Sequence, residues 1–150
     1  MRAIRINQPK GIQAMSFLQS STLLRQALIA DATVSGVTGL FFFFGAGLLA
    51  GLLDLPEALS RYAGLALLPF AAAVFALARQ ANPSRAAVRL LIAVNVLWAV
   101  ASIALLVGGW IAPNLLGTLF VAGQALVVAL FAEIQFIALR RAAAAAAIVA

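Results

Sequence analysis

Apolar residues fill four long stretches of this chain, and most polar residues fall in the gaps between them. The first stretch covers about 27–53, includes the run Phe41-Phe42-Phe43-Phe44, and ends where Pro56 stands between the acids of Asp54-Leu55-Pro56-Glu57. The second covers about 62–78 and contains Pro69, whose missing N–H frees a backbone carbonyl and predicts a kink. The loop Arg79-Gln80-Ala81-Asn82-Pro83-Ser84-Arg85 breaks the pattern, and a third stretch follows over about 90–110. A turn through Pro113 and Asn114 leads into the fourth, about 115–139, which Arg140 and Arg141 close. A helix needs roughly 20 predominantly apolar residues to cross a bilayer. The pattern therefore predicts an all-α protein, a transmembrane four-helix bundle.

Around this 25–141 domain, residues 1–24 read as a polar, basic cytoplasmic leader and 142–150 as an Ala-rich C-terminal tail able to extend the last helix. The apolar run behind the leader is too long for a signal-peptide core, and a convincing small-residue cleavage site is lacking, so the first span is read as uncleaved. Met15 opens an alternative start, which would make the first fourteen residues dispensable.

Composition agrees with the pattern: 65% of the 150 residues are hydrophobic and 9% charged, against about 25% charged in soluble domains. Such a chain cannot cover a water-facing surface. The net charge of +6 would suggest nucleic acid in a soluble protein, but here the basic residues cluster at the ends of apolar runs with no aromatic interleaving, so nucleic acid is not an expected partner. With neither cysteine nor histidine, disulfides, thiol chemistry, common zinc sites and histidine-ligated haem are excluded.

Basic residues also set the orientation. Arg2, Arg5, Lys10, Arg25, Arg79, Arg85, Arg89, Arg140 and Arg141 all fall on one side of a four-span topology. Arg61 alone falls on the other, beside Asp54 and Glu57. Positive residues stay inside. Both termini are expected in the cytoplasm, and the expected location is a bacterial inner membrane.

Ionisable groups within lipid are costly and usually face a bundle interior. Asp31 is six residues past Arg25, Asn95 six past Arg89 and Glu133 seven before Arg140, depths of about 9–10 Å at 1.5 Å per residue. Asp31, Asn95 and Glu133 are thus expected to converge in one layer. Ser35 and Thr38 extend the Asp31 stripe, and Trp98 and Ser102 that of Asn95. The cluster admits two readings. In one, Asp31 or Glu133 exchanges protons in a proton- or cation-linked site. In the other, Asn95 donates to a carboxylate, or Arg25 and Arg140 pair with the acids, and a polar clamp fixes helix register.

On the fourth span Gln124 and Gln135 are eleven residues apart and share a face, while Glu133 lies nearly opposite both. One of the two faces must turn away from a four-helix core. Gln124 is therefore either an amide hydrogen-bonded locally or a candidate helix-interface residue, with Gly36, Gly39 and the GxxxG pair Gly47 and Gly51, whose spacing permits close helix approach or dimerisation.

The segments LRQALIADATVSGVTGL (24–40), NVLWAVAS (95–102) and AEIQFIALRR (132–141) resemble small four-span bacterial inner-membrane proteins. That resemblance implies the fold and no activity. Small multidrug-type transporters are similar in size and place a carboxylate in their first span, though near its middle, whereas Asp31 lies near one end of a long one. Vitamin K reductase-like proteins are excluded by the missing cysteines. The expectation is a non-enzymatic, cofactor-free packing or accessory subunit whose partners are membrane lipids and a homo-oligomer or larger membrane complex. The alternative is a small proton-coupled transporter or permease-like homodimer using Asp31 and Glu133.

Overall fold

The computed structural model describes the backbone of residues 10–149 and the side chains of 22–144; the leader arginines Arg2 and Arg5 lie outside the described residues. It is a helical bundle: α1 (Lys10–Phe44), α2 (Ala46–Leu53), α3 (Glu57–Ala78), α4 (Arg85–Val107) and α5 (Leu115–Val149). Within these, Thr22–Phe44, Glu57–Ala78, Arg85–Val107 and Leu115–Ala144 are long and apolar enough to cross a membrane.

The first apolar stretch is not one helix. It divides at Gly45, and the chain resumes as the short α2, with Gly45 N–H still bonded to Phe41 O at 2.8 Å. Helix α3 begins five residues before the apolar run does, because Pro56 immediately precedes it and Glu57 places an acid in its first turn. It continues through Pro69 without interruption. Helix α5 runs on through the alanine-rich tail.

Helix α1 is central and packs on α3 and α5, while α4 packs on α5. Helices α3 and α4 are consecutive in the chain yet scarcely touch, so the order across the bundle is α3, α1, α5, α4 and one flank is open. The α1–α3 crossing is close because two glycines meet there. A Cβ on Gly64 would stand 2.5 Å from Phe43 N and 2.7 Å from Gly39 O, so backbone lies against backbone.

A second close approach joins α2 to α5. Asn114 Nδ2 donates to Leu52 O at 2.8 Å and Asn114 N–H to Leu53 O at 3.2 Å, satisfying carbonyls at the end of α2. Its Oδ1 accepts from Gly117 N–H at 2.9 Å, capping α5. Any side chain at Gly117 would run into the Leu53 carbonyl.

The usual distribution of side chains is inverted. Large apolar residues such as Phe44, Leu90, Leu97, Val107 and Leu126 are exposed, whereas Asp31, Ser35, Ser60, Asn95, Ser102 and Gln135 are buried. Contiguous apolar surface on every long helix is what a lipid-facing bundle presents. Inside, one apolar cluster (Leu28, Val74, Leu77, Val88 and Leu139 among its members) fills the end near the α3–α4 loop. Another, around Phe42, Leu53, Ile111 and Val121, fills the opposite end. The polar residues lie between them.

Candidate functional site, a buried carboxylate held by three helices

Asp31 is fully buried on α1. Its Oδ2 accepts from Asn95 Nδ2 of α4 and from Gln135 Nε2 of α5, each at 2.7 Å. Its Oδ1 accepts from Ser35 Oγ, one turn further along α1, at 3.1 Å. Asn95 Nδ2 also lies 3.5 Å from Gln135 Oε1. The only ion pair among the described residues is Arg61–Glu57, far along the chain from this cluster. Neutral donors alone therefore satisfy the carboxylate. Hydrogen bonds between membrane helices average about 0.6 kcal/mol, so the set contributes on the order of 2 kcal/mol and ties α1, α4 and α5 to one register.

The convergence of Asp31 with Asn95 and Ser35 is present, but Glu133 is not part of it. Glu133 is exposed on the far side of α5, among exposed Leu130, Ile134 and Ile137. Gln135 takes the inward position instead. The reason is rotational: Glu133 lies nearly opposite Gln135 on α5, and the amide turned inward offers the donor that Asp31 accepts. Neither Arg25 nor Arg140 pairs with an acid, and Arg140 lies over the Phe136 ring. Asp31 and Glu133 thus do not form a paired site.

A second polar group lies further along α4. Trp98 Nε1 donates to Gln124 Oε1 at 3.3 Å, Gln124 Nε2 to Ser102 Oγ at 3.1 Å, and Ser102 Oγ to Trp98 O at 2.8 Å. Gln124 therefore bonds within the bundle and offers no outward interface. Among the glycines, Gly39 lies in the α1–α3 crossing, 3.1 Å from Leu67 Cβ as measured from an added Cβ, and Gly36 has ordinary room against Ala71. Gly47 and Gly51 face open space with nothing within 4 Å, so the GxxxG pair makes no contact inside the chain.

Three residues with roles here escape sequence reading. Gln135 could have been placed by preferring the face with two amides to the face with one acid. Gly64 has no partner motif on its own helix. Ser60 on α3 is 3% exposed; its backbone N–H bonds to Pro56 O, while its hydroxyl has no partner among the described residues. A cavity of about 110 Å³ reaches Ser35, Asn95 and Trp98 between α3 and α4. A larger one of about 310 Å³ lies on the other side of Trp98 and reaches Ser60.

No family model, curated protein or solved structure matches this chain.

Proposed function

We propose that this protein is a non-enzymatic, four-span subunit of a bacterial inner-membrane assembly, with both termini in the cytoplasm, and that α5 docks a transmembrane helix of another protein. The observation that carries this reading is Glu133. Its carboxylate is exposed within an apolar span, about 10 Å along the helix from Arg140, and it makes no hydrogen bond or ion pair among the described residues. A charge facing lipid is expensive; a partner helix bearing lysine, arginine or an amide at that depth removes the cost.

A second copy fits less well. An α5–α5 contact about a two-fold axis sets Glu133 against its own mate. The amides of Asn95 and Gln135 are already engaged with Asp31. The orientation is supported by the sequence pattern, which assigns nine basic residues to one side of a four-span topology, and by the pairing of Arg61, the one exception, with Glu57.

Photo-crosslinking residues placed at Leu130 and Ile137 in native membranes test the docking face, with Leu97 on α4 as a control. One discrete heterologous product from both α5 positions, lost in Glu133→Leu and retained in Glu133→Gln, is expected. Crosslinks to lipid alone, or to a second copy alone, would overturn the reading. Because the chain has no cysteine, single cysteines at Asn82 and Pro56 report orientation by labelling from one side of the membrane.

A further inference from the structure

The open flank between α3 and α4 is an interior space with its own chemistry. Near the end of the bundle that carries the α2–α3 and α4–α5 connections, these helices enclose a cavity of about 310 Å³. Exposed Tyr62 and Ala101 stand at its margin, so it opens sideways, towards lipid. No charged residue lines it, and the wall is apolar apart from Ser60, Tyr62, Trp98, Ser102 and Gln124.

Apart from the hydroxyl of Tyr62, which is exposed at the margin, two of these side chains have a donor to spare. Ser60 is 3% exposed, and its hydroxyl has no partner among the described residues. Its hydroxyl is not sealed in protein, since no fully enclosed side-chain polar atom lacks a partner, so it opens onto the cavity that it lines. Gln124 Nε2 donates one N–H to Ser102, and an amide nitrogen carries two. An O–H from α3 and an N–H from α5 therefore border one otherwise apolar space. Trp98 offers no further donor, because its only N–H goes to Gln124.

We propose that this cavity binds a neutral lipid whose head carries a carbonyl oxygen. The oxygen accepts from Ser60 and Gln124, the head packs against Trp98, and the apolar chain leaves between α3 and α4 into the bilayer. A volume of about 310 Å³ is at the lower edge for small-molecule sites, so it accommodates the head and the first part of a chain. The absence of charged lining disfavours an anionic or cationic headgroup, which would be desolvated with no counter-charge. Diacylglycerols and prenylated quinones share the required chemistry. The site stands on α3, α4 and the inward face of α5, independently of any partner at Glu133.

The test uses Trp98 as reporter. The chain has two tryptophans, and Trp110→Phe leaves Trp98 alone. The full-length Trp110→Phe protein is placed in phosphatidylcholine nanodiscs and titrated separately with dibrominated diacylglycerol, a prenylated benzoquinone, dibrominated phosphatidylglycerol and dibrominated phosphatidylcholine. Saturable quenching by the diacylglycerol or the quinone is expected, and the arm that saturates identifies the source. Ser60→Ala should weaken the saturating arm about five-fold, the equivalent of one hydrogen bond. Ala101→Phe, which fills the cavity, should abolish saturation; circular dichroism confirms that each variant is folded, and Ser60→Ala decides alone if Ala101→Phe is not. Non-saturable quenching equal for all four probes, saturation by phosphatidylglycerol, or saturation unchanged in Ser60→Ala would each overturn the proposal.

Discussion

Asp31 and Glu133 occupy similar depths near the same end of the bundle, and the fold treats them in opposite ways. Asp31 lies on the central helix, fully buried, with hydrogen bonds from three side chains on α1, α4 and α5. Glu133 lies on an outer face, surrounded by exposed leucine and isoleucine, and its carboxylate bonds to no described residue. The difference lies in what each helix offers its neighbours. Helix α1 touches both α3 and α5, so a polar residue on its inward stripe meets partners. The outward face of α5 meets none in this chain. Depth alone therefore does not say whether an acid within a span is internal cement or an external contact; the face decides.

The sharpest way to break this contrast is to remove the buried carboxylate. Asp31→Ala leaves the amide donors of Asn95 and Gln135 without their acceptor in a dry layer, which should cost about 2–6 kcal/mol of bundle stability at 1–3 kcal/mol per orphaned group. Asp31→Asn keeps a carbonyl acceptor of similar size and should cost about 1 kcal/mol. Reversible unfolding in mixed detergent micelles measures both. Equal losses for the two variants would mean that burial of volume, rather than hydrogen bonding, holds this layer.

A smaller effect is expected at Gln135, which supplies one of the three donors. Gln135→Leu retains the side chain's bulk but removes one short bond to Asp31, a loss of about 1 kcal/mol in the same assay. Asn95 and Ser35 still satisfy the carboxylate in that variant. A loss as large as that in Asp31→Ala would show that the three bonds act as a single network.

Much of this architecture is legible in the chain itself. Four apolar runs and their polar breaks correspond to the four long helices, and the shared depth and stripe of Asp31, Ser35 and Asn95 anticipate the hydrogen bonds between them. Depth counting fails for Glu133 because it reads distance along a helix and is blind to rotation about it. The face shared by Gln124 and Gln135 contained the missing information: both amides point inward, each to a different polar group. Packing detail is less visible. The α1–α3 crossing depends on Gly39 meeting Gly64 from another helix, and no spacing within one helix encodes that. The break at Gly45 is likewise hidden within an unbroken apolar run. The open α3–α4 flank runs against the expectation that consecutive helices pack together, because α1 and α5 come between them.

The smallest predicted effect completes the comparison from the other side. Glu133→Leu in the isolated protein removes a carboxylate that bonds to nothing among the described residues, so bundle stability should change by no more than about 0.5 kcal/mol. If α5 docks a partner, the same substitution should destabilise the protein's association in native membranes while leaving the purified chain as stable as before. That separation between fold and assembly distinguishes the two acids: at Asp31 the isolated chain itself should weaken, whereas at Glu133 only the complex should. Unfolding of purified Glu133→Leu beside the unsubstituted chain, in the same micelles, measures the first half. A stability loss comparable to that of Gln135→Leu would place Glu133 within the internal network and remove the reason to assign α5 a partner.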